Sequence, residues 1–179
     1  AAAREPWRMA VSWLRETFGD SLWNLNIPLI HELLRQRGGA ECRVLFNSEL
    51  MACVYPRTSS AGRLFDALSA LLGFGLRKQF EGQAAMELES LVDDTPCLPC
   101  AYEIERSERP MVFDPRPMFA DVVRDLQQGG SVHVIAGRAQ ETIAQAFSAI
   151  TVQAAEEADL KTACLSGGCF QNAYLLARC

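Results

Sequence analysis

The chain has 179 residues, 49% hydrophobic and 22% charged, with a net charge of −5; this is an ordinary globular composition, long enough for one sizeable core. It carries no basic tract that would point to nucleic acid and no uninterrupted apolar run that would point to a membrane. The first residues, Ala1-Ala2-Ala3-Arg4-Glu5-Pro6-Trp7-Arg8, lack the apolar core of a signal peptide, so the expected setting is cytoplasmic and reducing.

Apolar residues at Trp7, Val11, Leu14 and Phe18 form a helical stripe, and residues 7–18 are expected to be helical. Residues 27–34 repeat the pattern, with Pro28 suited to a first turn and Gly38-Gly39 closing the helix. Between Arg43 and Val54 the apolar residues are dense without alternating, which favours helix. Thr58-Ser59-Ser60 then offers hydroxyls to cap a helix running to Leu72 and stopping near Gly73. A further helix starts at Gly82 and ends near Val92. The loop from Asp93 to Pro99 is the one candidate boundary.

Tyr102–Glu105 and Met111–Phe113, separated by polar residues, read as a β-hairpin. Met118–Leu126 reads as a short helix closed by Gly129-Gly130. A long helix lies within 132–158, with its clearest period from Glu141 onward. Lys161-Thr162-Ala163-Cys164 reads as a final strand. It leads into Leu165-Ser166-Gly167-Gly168-Cys169-Phe170-Gln171-Asn172 and a last helix from Ala173.

That glycine segment is the most informative stretch. Bare glycine backbone and a helix start with unpaired N–H groups suit a phosphate, although tight strand-to-helix turns also use Gly-Gly for packing alone. Asp66, one turn beyond Gly62, has two readings as well: a ligand-facing carboxylate, or a complement to the helix dipole.

Seven scattered cysteines argue against a disulfide framework. Cys97-Leu98-Pro99-Cys100 has metal-ligand spacing but no second pair, so a surface loop is expected there. Cys164 and Cys169 are expected to be small buried hydrophobes, and His31 and His133 to be core or surface rather than ligands. No Walker-type loop and no Ser-His-Asp series is present.

Four segments occur in order: Arg4-Glu5-Pro6-Trp7-Arg8; Thr58-Ser59-Ser60-Ala61-Gly62-Arg63-Leu64-Phe65-Asp66-Ala67; Phe80-Glu81-Gly82-Gln83-Ala84-Ala85-Met86-Glu87-Leu88-Glu89; and the glycine segment from Leu165 to Asn172. Together they closely resemble the C-terminal region of HypF, the nickel–iron hydrogenase maturation carbamoyltransferase family. The resemblance implies an α/β, helix-rich fold, part of an actin-like ATPase (ASKHA, Kae1-like) domain and mainly one lobe of it. Residues 1–179 would then be a partial Kae1-like domain, truncated at both ends.

The resemblance further implies an enzyme that uses carbamoyl phosphate and ATP, with magnesium, through carbamoyl adenylate. The carbamoyl group would pass to the C-terminal cysteine of a HypE-type maturation protein. Gly62 and Asp66 match the family's Gly-x-x-x-Asp pair, which contacts the ribose. Gly167, Gly168 and Asn172 match the Gly-Gly-x-x-x-Asn element on the adenosine and phosphate side. No catalytic residue is assigned.

The family's zinc or iron would be held outside this chain, since His31 and His133 do not match its histidines and the matching aspartate lies beyond Cys179. At Gln140 the family often carries histidine, and Arg57 stands where a more apolar residue is usual. The alternatives are a related O-carbamoyltransferase, a tRNA threonylcarbamoyl transferase, or a non-catalytic helical docking module. The run Glu81–Glu89 favours the hydrogenase branch, and the acidic charge gives tRNA binding no support.

Overall fold

A computed structural model describes residues 4–46, 58–74, 76–92, 97–107 and 110–179. The chain packs as two compact units, Ala1–Leu88 and Glu89–Cys179. The division falls inside a helix, slightly upstream of the expected boundary loop. Most of that loop, and most of the helix expected over 43–54, lie outside the described residues, as do Cys53 and Arg57.

The first unit is helical. Helix α1 (Trp7–Phe18) buries Trp7, Ala10, Val11 and Leu14, the stripe that its period requires. A 3-10 turn over Gly19–Asn24 folds Leu22 and Trp23 under it. Helix α2 (Pro28–Arg37) starts on its proline and buries Leu29, Ile30 and Leu33. Helix α3 (Gly39–Leu45) adds Cys42, whose thiol contacts the Leu33 carbonyl at 3.7 Å.

Helix α4 (Ala61–Leu71) is the centre of this unit, buried at every position from Leu64 to Leu71 and packed against α1. A helix covered on all sides is expected to be apolar all round, yet this one carries Asp66 and Ser69. Its start differs from the expectation. Ser60 makes no side-chain cap; instead Thr58 Oγ1 accepts the Ser60 N–H at 3.2 Å, a local turn that competes with capping. Helix α5 (Gln83–Ser90) turns Ala84 and Leu88 inward.

In the second unit, strands β1 (Glu103–Glu105) and β2 (Val112–Asp114) pair antiparallel, with Ile104 opposite Phe113. Helix α6 (Arg116–Gln127) follows at once, because Asp114 Oδ1 accepts the Arg116 N–H at 2.9 Å. Helix α7 (Val132–Glu157) has 26 residues and is roughly 39 Å long at 1.5 Å per residue. It begins nine residues before the clear period. Gly137 weakens the local preference, but tertiary packing overrides it: a Cβ there would meet Cys97 Sγ at 3.3 Å. Alanines at 136, 139, 144 and 146 leave room for close packing by α6 and by α8 (Ala173–Arg178).

The expected strand over 161–164 is not formed. The segment is exposed and belongs to no ladder, and strand backbone gains its hydrogen bonds only from a neighbour. Among the described residues, the two-stranded hairpin is the whole of the sheet. No described helix is long and apolar enough to cross a membrane.

Candidate functional site

The residues singled out by sequence fall into both units, Gly62 and Asp66 in the first, Gly167, Gly168 and Asn172 in the second. Each set is a local constellation with its own chemistry.

On α4, Gly62 and Asp66 sit one turn apart. Asp66 is 1% exposed, and its carboxylate is committed: Lys78 Nζ contacts Oδ1, and Arg63 Nη1 lies 2.7 Å from Oδ2. The Arg63 contact is close, but Nη1 and Oδ2 are not aligned as a hydrogen bond, so its attraction is chiefly Coulombic. The Lys78 side chain is itself only 4% exposed. A buried carboxylate without countercharge would be prohibitively costly, and here two cations answer it. Sequence reading missed Lys78, since a lone lysine in the turn after α4 gives no pattern to detect.

Gly62 has ordinary helical space around it: a Cβ would sit 3.5 Å from Ser60 Oγ. The fold therefore gives no steric reason for glycine at this position.

In the second unit the glycine segment is arranged differently from the expected strand-to-helix corner. Gly167 takes φ +100°, a conformation that side chains rarely adopt, so backbone geometry accounts for this glycine. A 3-10 turn over Gly168–Gln171 comes next, and α8 starts only at Ala173. Gly168 is exposed, with nothing within 4 Å of an added Cβ. Like Gly62, it is a glycine that packing does not demand.

The start of α8 is already supplied with acceptors, contrary to the expectation of open N–H groups. Asn172 caps it, Oδ1 accepting the Leu175 N–H at 2.8 Å, and Glu89 Oε1 accepts the Ala173 N–H at 2.8 Å. Asn172 is 6% exposed, and its Nδ2 donates to Gln140 Oε1 at 2.8 Å. Gln140 therefore occupies a buried position in direct contact with the motif asparagine. Beside them, Tyr174 Oη donates to Glu141 Oε2 at 2.9 Å. Burial, then that hydrogen bond, pushes the phenol well above its usual range.

The cysteines also depart from expectation. Cys100 is buried rather than on a surface loop: its N–H donates to Thr142 Oγ1 at 2.7 Å, and burial pushes its thiol up to about 11. Cys97 is half-buried, with Tyr174 Oη at 4.0 Å. Cys164 is exposed and Cys169 half-buried, so neither is a core residue. Both lie in or beside an unpaired segment that offers them no interior.

His31 is exposed on α2, and His133 Nδ1 meets the Leu91 carbonyl at 2.8 Å. No group of three or more His, Cys, Asp or Glu side chains able to hold a metal ion gathers among the described residues. The described residues thus do not fit a metal centre.

Comparison with known proteins adds a different kind of observation. A family model described as "Carbamoyltransferase, Kae1-like Domain, second subdomain" matches residues 1–179. Carbamoyltransferase HypF of Rhizobium leguminosarum bv. viciae is 35% identical over 184 residues, covering 98% of this chain and 21% of that protein. Carbamoyltransferase HypF of Rhodobacter capsulatus is 40% identical over 124 residues, covering 67% of this chain and 15% of that protein. The chain thus spans about a fifth or less of these relatives. The crystal structure of full-length HypF in the phosphate- and nucleotide-bound form matches with a TM-score of 0.80 at 29% identity, over 99% of this chain and 26% of that one. That of T. kodakarensis HypF matches with a TM-score of 0.77 at 25% identity, over 99% of this chain and 23% of that one.

Proposed function

The chain belongs to the HypF carbamoyltransferase family, as the second subdomain of its Kae1-like domain, and on that premise we propose that it is a nucleotide-binding segment of a carbamoyl-transfer enzyme. The observation that carries the reading is the pair Gly62 and Gly168. Both lie in motifs that resemble the family's nucleotide elements, and neither has a packing reason to be glycine. A position without a side chain, where the fold would accept one, is consistent with room kept for a ligand.

In this reading the intact protein uses ATP, with magnesium, and carbamoyl phosphate: hydrolysis of carbamoyl phosphate to carbamate releases inorganic phosphate, and a carbamate oxygen attacks the α-phosphate of ATP, giving carbamoyl adenylate with pyrophosphate as the leaving group. A cysteine thiolate of a HypE-type partner attacks the carbamoyl carbon, the bond from that carbon to the AMP phosphate oxygen breaks, and AMP leaves. Residues 1–179 form a partial Kae1-like domain and supply binding groups rather than a nucleophile. Gly62 and Asp66 meet the ribose; Gly167, Gly168 and Asn172 meet the adenosine and phosphate side. Catalysis here is positioning of a reactive mixed anhydride against an incoming thiolate. Zinc or iron is held by residues outside this chain, and no step is assigned to it. The segment by itself is inactive.

Asp66→Ala and Asn172→Ala are poor probes, because both side chains hold buried contacts. Gly62→Ala and Gly168→Ala are better, since each adds one methyl group where the fold has room. The test is nucleotide binding by calorimetry and carbamoyl transfer to the partner cysteine, in the intact protein. Either variant should weaken binding by about tenfold or more while the fold is retained. Wild-type affinity and transfer in both variants would sink the site assignment. No nucleotide binding by the wild-type protein would favour a docking module instead.

A further inference from the structure

The chain carries a net charge of −5, yet one face of the first unit gathers arginines. Trp7 lies buried beneath two of them, with the guanidinium of Arg8 4.6 Å and that of Arg37 5.0 Å from the ring centroid. Glu5 accepts from Arg8 Nε at 2.6 Å, and Glu41 accepts from Arg37 Nη1 at 3.0 Å. Arg77 Nη2 approaches Glu5 only to 3.9 Å, beyond hydrogen-bond distance, and its side chain is 82% exposed. Three guanidinium groups thus share two carboxylates. The hydrogen bond from Arg8 holds the Glu5 carboxyl below its usual range, and the charges of Arg77 and Arg37 add to it.

Contact with a buried ring and a carboxylate on one edge orient Arg8 and Arg37. Ordering a free arginine costs rotamer entropy when it binds; here folding has already ordered two. Donors are left over. Among the described residues, no hydrogen-bond partner takes the terminal nitrogens of Arg8 or the Nε and Nη2 of Arg37, and both side chains keep surface open to solvent. A planar fork of N–H donors matches a carboxylate, and the excess of cations favours an anion.

The three arginines stand on separate segments: Arg8 on α1, Arg37 at the end of α2, and Arg77 in the turn after α4. Such a spread suits several carboxylates on a protein surface better than one small anion. Arginine around a buried tryptophan is also a composition that binding interfaces favour.

We infer that Arg8, Arg37 and Arg77 form a docking face for acidic side chains of the protein that accepts the carbamoyl group. The inference rests on the reading given above, in which the acceptor is a protein thiol. The face sets the affinity and encounter rate of that partner, and the chemical step does not depend on it.

The experiment measures carbamoyl transfer by the intact protein with ATP and carbamoyl phosphate, at varied concentrations of the acceptor protein. Arg77→Glu is the first variant, because an exposed side chain with one long contact can change without harm to the fold. It should raise KM for the acceptor protein by about tenfold, with kcat and the calorimetric affinity for ATP unchanged. Arg37→Gln should act in the same direction, and Arg77→Lys should restore most of the loss. Added salt should raise the wild-type KM more steeply than that of Arg77→Glu.

Wild-type KM in both Arg77→Glu and Arg37→Gln, or a loss confined to kcat or to ATP affinity, overturns the docking face. A wild-type protein that forms carbamoyl adenylate but transfers to no protein thiol overturns the acceptor reading itself, so the two failures are distinguished.

Discussion

Asn172 donates its side-chain amide to Gln140 Oε1 at 2.8 Å, while its own side-chain carbonyl oxygen accepts the Leu175 N–H at 2.8 Å. One side chain thus caps α8 and ties it to the middle of α7, and it does so almost fully buried. The motif asparagine has a structural task whatever it also does for a ligand. Asn172→Ala removes the cap and one buried hydrogen bond, for an expected loss of about 1–3 kcal/mol. A double-mutant cycle with Gln140→Ala, read by chemical denaturation, should give a coupling of about 1 kcal/mol. Additive losses would mean that the two amides do not interact.

Gly62→Ala should act in the opposite direction on stability. The new Cβ finds ordinary contact at 3.5 Å from Ser60 Oγ, and alanine is the better helix former by about 0.5–1 kcal/mol. A higher unfolding midpoint together with weaker nucleotide binding would identify a glycine kept for its ligand at the expense of stability. A lower midpoint would show that the helix start needs glycine after all.

Cys100 gives a pH dependence with a definite sign. Burial raises its thiol from 9.0 to about 11, so the folded chain holds that proton more tightly than the unfolded chain. The resulting stability is fully present below about pH 9 and is lost as the pH rises from 9 toward 11, by at most about 3 kcal/mol. Cys42 and Tyr174 are also pushed up, chiefly by burial, so Cys100→Ala is the control that isolates this site. Denaturation midpoints that stay level across this range in the wild-type chain would contradict the assignment.

Thiol accessibility should follow burial in the same protein. Cys164 is exposed and Cys100 is 3% exposed. Alkylation followed by mass spectrometry should mark Cys164 early and Cys100 only on unfolding. Early modification of Cys100 would mean that its segment opens locally.

Trp7 should be among the most sensitive positions of the first unit. It is 3% exposed and meets Phe46 edge-on at 5.7 Å, with the guanidinium groups of Arg8 and Arg37 at 4.6 and 5.0 Å from its ring. Trp7→Ala should cost about 3–5 kcal/mol in a denaturation experiment. A change below about 1 kcal/mol would show that this ring is not part of the core.

Local chemistry made much of this protein legible in its sequence. The apolar period of residues 7–18, the proline at the start of α2, the hairpin around its polar turn and the helix ahead of Gly73 all follow from side-chain spacing and backbone preference, which neighbouring residues determine. The ordered motifs likewise carried the family, and the match to a Kae1-like model over residues 1–179 agrees with it. What tertiary structure alone decided is where each buried polar group finds its partner. The expected strand at 161–164 has no neighbour to complete it. Cys100 is drawn into the interior beside Thr142, Glu89 reaches the start of α8 across 84 residues, and Lys78 settles on Asp66. Spacing along a chain cannot announce such pairings, because burial makes a polar group seek a partner while only the fold determines which one is within reach.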